Sequence, residues 1–418
     1  MVVTIVVLLI LAGVSISLIL DNNGIIQKGK DARREYGQAK ENEQKRLFDL
    51  SDMIDDVTSE QTLKVNVNTK ATGNGTINGE KGNFNNPTIP KGYIPIDEGQ
   101  AIWGDGSSAP SQNSIDHGLV IKDDKNNEWV WIPVDSTTLT TMYEISTKED
   151  GENLCGNTGV TTNKYSKSRI ISKKPRTTPG TTTAPYYREP DLVVGMDGEG
   201  YDIEDIYYKT ILGETGTKEQ LAQLFVNEYN KMIYSIEKYE GFYIGRYELS
   251  KEGVQKDKEV LIKTNWYDLY KKCKELNASN KVETRMIWGC QWDVTCNFIA
   301  NKGDKKSITD SSSWGNYKNT SVKSDDGTTE LKKSGTHSVL NTGITKFTMA
   351  NNIYDFAGNC WEWTQEASKP GYRAVMGGGC VYYGSVEPAS SSASEFCNPC
   401  SNTVTTVRHS SNINNKVG

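Results

Sequence analysis

Histidine is nearly missing from this chain, with three residues, His117, His337 and His409, in 418. None stands in a pattern with Ser, Cys or Asp that would make it a catalytic base, which excludes histidine-driven hydrolysis. Cysteine is sparse as well: eight residues are too few for a disulfide scaffold in a chain of this length. No second C-x-x-C accompanies Cys397 and Cys400, so a zinc site of the paired type is excluded. The pair lies among Ser, Asn and Pro rather than at a strand-to-helix turn, so it does not read as a thioredoxin-like motif. A local disulfide and chance placement both stay open there. Positive charge is not in excess, since 47 Lys and Arg against 53 Asp and Glu leave a net charge of -6. A basic nucleic-acid footprint is thereby excluded. No internal repeat of fixed period occurs, which argues against a solenoid.

Tyr (21) and Trp (9) outnumber Phe (8), a balance that suits surfaces and interfaces because both carry an apolar body and a polar handle. Thirty-eight Gly, with abundant Ser, Thr and Asn, predict a loop-rich body rather than an all-helical one. The longest apolar run is at the start. "MVVTIVVLLILAGVSISLIL" carries no charge, and roughly 19 residues of helix reach ~28 Å, about one hydrocarbon core. It reads as a membrane anchor rather than a cleaved signal peptide or a buried core helix, since no basic residue precedes Lys28. A charged segment follows with Tyr36, Ala39, Leu47, Leu50 and Ile54 on one stripe, interrupted by Glu43. Residues 1–56 are expected to form a transmembrane and stalk helix.

Residues 57–90 are polar and Gly/Asn-rich, and read as a flexible linker. A lead-in over 91–125 precedes the main domain, 126–418, which carries a surface insertion at 161–190. "NEWVWIPV" (127–134) and "GFYIGRYEL" read as strands. Leu221, Leu224, Phe225, Tyr229, Met232, Ile233 and Ile236 predict a core-facing helix, and "NWYDLYKKCKEL" a second amphipathic one. "RMIWGCQWDVTCNFIA" reads as a loop entering a third. Cys290, Cys296 and Cys360, in apolar context, are expected to be buried thiols.

Two resemblances bear on these segments. "TIVVLLILAGVSISLILDNNGIIQKGKDA" resembles the N-terminal helix of type IV pilin-like proteins of Clostridium-type Gram-positive bacteria. In that family a Lys/Arg-Gly leader precedes the apolar helix; here the chain begins inside it, leaving a plain anchor as the alternative to pilus-like assembly. "FYIGRYELS" (242–250), "ETRMIWGCQWD" (283–293), "NNIYDFAGNCWEWTQEA" (351–367) and "YRAVMGGGCVYYGS" (372–385) resemble, in order, four landmarks of the formylglycine-generating enzyme, or sulfatase-modifying factor, family. The resemblance covers about residues 126–408 and implies an α+β, C-type-lectin-like domain.

In that family the D-x-x-G-N-x-W-E segment wraps calcium. Carried over, the ligands would be the Asp355 and Glu362 side chains with the Gly358 and Cys360 carbonyls, an oxygen set suited to a hard cation. A metal-free turn is the alternative. The family's copper-dependent oxidation needs a pair of cysteines, and the aligned positions here are Tyr382 and Glu387. Neither offers a soft sulfur donor, so the chain is expected not to be an enzyme.

The tail "GGGCVYYGSVEPASSSASEFCNPCSNTVTTVRHSS" is similar to the variable proteins of diversity-generating retroelements, a subset of the lectin-like family. Rewriting template adenines of an Asn codon can yield Cys380, Val381, Tyr382, Val386, Ala393, Phe396, Val404 and Thr406. With Tyr383 and Ser391, these form the expected ligand-contacting set within a variable region, 376–408. Met376 and Gly379 depart from the family's usual Arg and Ser. Beyond Arg408, "HSSNINNKVG" replaces an apolar final strand and is expected to leave one sheet edge less complete.

Together these readings imply a membrane-anchored protein on the extracellular face of a Gram-positive bacterium, binding a protein or glycan ligand and no nucleic acid. A minor pilin with a lectin-like cap is the first alternative, and a formylglycine-generating-type oxidase the disfavoured second.

Overall fold

In a computed structural model the chain divides into two compact units, Met1–Gln61 and Thr62–Gly418. The structure describes residues 82–90, 92–104, 108–135, 138, 205–276, 282–369, 372–393 and 405–413, all in the second unit. The anchor and stalk expected over 1–56 and the insertion at 161–190 lie outside these. Among the described residues no helix is long and apolar enough to cross a membrane.

Helices and strands mix as the α+β reading expects. Six strands form an antiparallel sheet in the order β1-β2-β3-β4-β14-β5. They are β1 (Ile94–Ile96), β2 (Val120–Lys122), β3 (Glu128–Pro133), β4 (Gly241–Gly245), β5 (Val282–Met286) and β14 (His409–Ile413). Four form a second sheet in the order β12-β11-β10-β13: β10 (Trp361–Lys369), β11 (Tyr372–Met376), β12 (Ser392–Ala393) and β13 (Thr405–Val407). Short ribbons join β6 (Val322–Lys323) to β7 (Glu330–Lys332) and β8 (Met349–Ala350) to β9 (Ile353–Tyr354).

Five helices accompany them among the described residues: α1 (Gln112–Asp116), α2 (Asp205–Leu212), α3 (Lys218–Tyr239), α4 (Trp266–Glu275) and α5 (Gly289–Asn301). The α3 start is fixed by a capping box, in which Thr217 accepts from the Gln220 amide and Gln220 accepts from the Thr217 amide. Leu221, Phe225, Tyr229, Met232 and Ile236 then face the core at helical spacing. Burial of each such side chain contributes about 1.5–3 kcal/mol relative to exposure.

Three expectations are corrected. The linker does not extend to residue 90. Within 82–90, Ile89 and Thr88 are buried, the Phe84 carbonyl accepts from Trp131 Nε1 at 3.2 Å, and the Thr88 carbonyl accepts from the Tyr243 hydroxyl at 3.0 Å. A segment without apolar periodicity can still dock through its carbonyls. Residues 91–125 likewise supply β1 and β2 to the main sheet rather than leading into it. Nor does the polar segment after Arg408 weaken an edge. His409–Ile413 lies inside the sheet, paired with β5 over five residues and with β4 over two, because strand pairing is a backbone property.

All nine tryptophans are buried, against the expectation of an aromatic-rich surface. Backbone carbonyls accept several of the indole N–H groups: Val120 O from Trp103 (2.7 Å), Thr364 O from Trp266 (2.8 Å), Ser307 O from Trp314 (2.8 Å) and Ala389 O from Trp292 (3.1 Å). At these four the polar handle is satisfied, so the rings are free to fill the core, whereas the buried Trp288 and Trp363 N–H groups have no such partner among the described residues.

The chain passes from β13 in one sheet to β14 in the other through one residue, Arg408. Its guanidinium donates to both oxygens of Glu362 on β10, at 2.9 and 2.7 Å. It also donates to the carbonyls of Gly245 at the end of β4 (3.0 Å) and Tyr354 on β9 (2.9 Å). Both partners of the pair are fully buried. Replacing Arg408 with Met would leave the Glu362 carboxyl buried without its partner, a change expected to cost about 3–5 kcal/mol in urea denaturation. Pairing it with Glu362→Leu should recover much of the loss. A single-variant cost below about 1 kcal/mol would contradict this role.

Candidate functional site

The segment 351–367 is a folded polar core. Asn351 (φ 47°) and Asn352 (φ 63°) turn β8 into β9 with both residues left-handed, as a two-residue type I′ hairpin requires. Their side chains then tie the hairpin down. Asn351 Nδ2 reaches the carbonyls of Phe298 and Lys302 near the end of α5, and Asn352 Nδ2 those of His117 and Gly118. Asn359, also left-handed at φ 58°, donates through Nδ2 to Glu248 (2.5 Å) and the Leu340 carbonyl (3.2 Å). Its Oδ1 accepts from the Leu340 amide and from Asn316 Nδ2.

Three carboxyl groups and one guanidinium are buried together here. Glu248 accepts from the Cys360 amide (3.2 Å) as well as from Asn359. Asp355 Oδ2 accepts from the Gly343 amide (2.7 Å) and the Thr342 hydroxyl (3.0 Å). Burial, reinforced by the charges of Asp355 and Glu362, pushes the Glu248 carboxyl well above the ordinary range. Burial also raises Asp355, and it lifts Glu362 to about 7 against the pull of Arg408. One arginine cannot balance three carboxylates, so the cluster holds a proton at neutral pH.

These residues do not fit the calcium site that the resemblance implied. Both Glu362 oxygens are taken by Arg408, so a second cation there would meet a fixed positive charge. Asp355 is directed at Gly343 and Thr342, and Gly358 is packed against the Asn316 backbone. No group of three or more His, Cys, Asp or Glu side chains among the described residues is arranged to hold a metal. The Arg408 guanidinium already supplies a positive charge against Glu362.

Among the sequence-predicted contact residues whose burial is described, Val381, Tyr382, Tyr383 and Val386 are exposed, at 47, 40, 48 and 50%. They make up four of the six large exposed hydrophobic side chains among the described residues, the others being Ile102 and Ile206. Three expected contacts are corrected. Cys380, Ser391 and Thr406 are buried, because Cys380 sits at the root of the loop and Ser391 in the turn before β12, while Thr406 is a strand residue of β13. Ala393 belongs to β12, where its backbone pairs with Val375. Phe396 and Val404, like Cys397 and Cys400, lie outside the described residues.

The loop carrying the exposed quartet is held largely by its backbone. Cys380 N donates to Asn359 O (3.0 Å), Lys318 N to Tyr382 O (2.8 Å), and Ser311 N to Gly384 O (3.0 Å). Gly377 and Gly378 have φ of 89° and 73°, and a Cβ on Gly378 would lie 2.1 Å from the Glu387 carbonyl, so only glycine fits there. Beneath, the buried Lys332 ammonium donates to the carbonyls of Tyr317 (2.6 Å), Thr320 (2.7 Å) and Thr336 (3.2 Å), bracing the segment against which the loop rests. Two side-chain contacts trim the surface: the Tyr382 ring meets Trp361 edge-on at 5.9 Å, and Lys318 Nζ lies 5.8 Å from the Tyr383 ring centre.

Sequence reasoning missed Glu248, Asn316 and Lys332. The only signal for Glu248 was an acidic residue at the end of an aromatic run, "FYIGRYE".

No protein-family model matches the chain, and no curated protein matches it. Among solved structures, Treponema denticola variable protein 1 aligns with 78% of this chain and 92% of its own at 12% identity. The TM-score of 0.21 is too low to assign a shared fold. The lectin-type and formylglycine-generating resemblances therefore rest on their motifs alone.

Glu387, at the end of the exposed loop, yields a pH prediction. Burial lifts its carboxyl to about 7, and Oε2 has no hydrogen-bond partner among the described residues. A raised folded-state value means that the fold favours the protonated form, so stability falls as pH rises from the ordinary carboxyl value through about 7. In Glu387→Gln this loss should vanish, and the melting-temperature advantage of the variant should widen between pH 5 and 8. A gap that stays constant over that range would contradict it.

Proposed function

We propose that the second unit is a ligand-binding module whose contact surface is the 381–386 loop. The observation that carries this reading is the exposure of Val381, Tyr382, Tyr383 and Val386 on a loop whose position is set mainly by backbone hydrogen bonds and glycine geometry. Contiguous apolar and aromatic side chains in water mark an interaction site, and tyrosines contribute large contact areas at low entropic cost. A loop fixed through its backbone can change those side chains without disturbing the core.

The reading is of binding rather than catalysis. The positions at which the family's oxidation chemistry would need two thiols hold Tyr382 and Glu387. The apolar run at residues 1–20 would tether the module to a membrane, on the extracellular face, with a protein or glycan as partner. Retroelement-type diversification of the tail completes the proposal. It makes burial, rather than position in the tail, the filter for which residues vary.

Sequencing the 3′ end of this gene across its source population tests the proposal. Substitutions should concentrate at codons 381, 382, 383 and 386, trace to template adenines, and spare Cys380, Ser391, Thr406 and Arg408. A uniform sequence, or changes spread evenly over buried and exposed codons, would overturn diversification.

A further inference from the structure

Two of the described cysteines meet at the root of the exposed loop. Cys360 precedes β10, and Cys380 precedes Val381; both are buried free thiols. The Cys380 amide donates to the carbonyl of Asn359, the residue before Cys360, at 3.0 Å. Standard peptide dimensions place that carbonyl oxygen about 2.8 Å from the Cys360 Cα, and the Cys380 amide nitrogen about 1.5 Å from its own Cα. A straight path would span about 7.3 Å, and the turn of roughly 120° between the N–Cα and N–H bonds of Cys380 brings the two Cα atoms within about 6.7 Å, inside the span that a disulfide bridges. The chains also run side by side here, since a Cβ on Gly379 would lie 3.7 Å from the Trp361 amide nitrogen. Burial holds the Cys360 thiol well above its ordinary value, and the charge of Cys380 is among the neighbours that push it further. No third ligand completes a metal site around them among the described residues.

We propose that Cys360 and Cys380 are a redox pair that closes to a disulfide, stapling the root of the 381–386 loop to the start of β10. The oxidant class is a small disulfide. Cys380 attacks first: it keeps 5% exposure against 1% for Cys360, and although burial raises both thiols, the Lys332 ammonium opposes that rise at Cys380. Its sulfur displaces one small thiolate and forms a mixed disulfide. The Cys360 sulfur then attacks the Cys380 sulfur and releases the second. Two protein thiols lose two electrons and two protons, and one small disulfide becomes two small thiols. The inference rests on the backbone approach of the two segments and does not depend on the binding reading. If both hold, the disulfide form presents the same surface on a stiffer loop.

The test uses the full chain. It is equilibrated with oxidised glutathione, free thiols are blocked with iodoacetamide, and chymotryptic peptides are mapped by mass spectrometry; cleavage after Phe396 separates Cys380 from Cys397 and Cys400. The expected product is a Cys360–Cys380 cross-linked pair, two hydrogens lighter than its separate peptides and reversed by dithiothreitol, with Cys273, Cys290 and Cys296 recovered as thiols. Cys360→Ser should halt the reaction at Cys380 glutathionylated, and Cys380→Ser should leave Cys360 a free thiol. Because the main readout is the wild-type peptide map, a variant that fails to fold does not blunt the test. Recovery of both thiols unmodified from wild type, of glutathione held on Cys380, or of either cysteine linked to Cys155, Cys397 or Cys400 would overturn the pairing.

Discussion

The ion pair between Arg408 and Glu362 ties together segments that are distant in sequence. Arg408 is the residue at which the chain leaves one sheet and enters the other, and its guanidinium reaches β10, the end of β4 and the β9 ribbon at once. Taking such a pair out of water is expensive unless its remaining donors are satisfied, and here the carbonyls of Gly245 and Tyr354 satisfy them. Around this contact Glu248, Asp355 and Asn359 build a polar centre in which most groups have assigned partners. Such a network is unforgiving when one member is removed, which fixes the relation of the two sheets.

That fixed centre lies directly under the exposed loop. Asn359 joins Glu248 and Leu340 inside, and its carbonyl anchors Cys380 at the root of the exposed loop. From Cys380 outward, side chains turn to solvent while backbone amides and carbonyls keep the loop in place. The division of labour is physical: buried polar side chains set geometry, and exposed Val and Tyr side chains are left to make contacts. A ligand-binding scaffold needs this separation if its contact residues are to change independently of its stability.

Much of the framework was legible in the sequence, for reasons that also explain the misses. The α3 helix announces itself because one face buries large side chains at a regular period, and β3 and β4 do so as short runs of large apolar residues buried on both faces. Residues 82–90 and β14 escaped because backbone atoms hold them, through carbonyls that accept from Trp131 and Tyr243 in the first and strand pairing in the second, which leaves no mark on the pattern of side chains. A Tyr- and Trp-rich composition suits surfaces, but it cannot tell whether an indole N–H meets water or a buried carbonyl. Position within the tail likewise could not separate Cys380, Ser391 and Thr406 from Val381 and Tyr382, since sidedness in an irregular loop depends on contacts remote in sequence. The calcium reading of the acidic motif came from a family resemblance, and the pairing of Glu362 with Arg408, 46 residues away, left no local signal.

The central claim is that the scaffold does not depend on its contact side chains, and comparing two randomised libraries tests this most directly. One library would vary Val381, Tyr382, Tyr383 and Val386, the other Glu248, Asn359, Glu362 and Arg408, each displayed and sorted for protease resistance. The account predicts that most members of the first library stay folded while nearly all of the second are lost. Equal losses in the two libraries would contradict it.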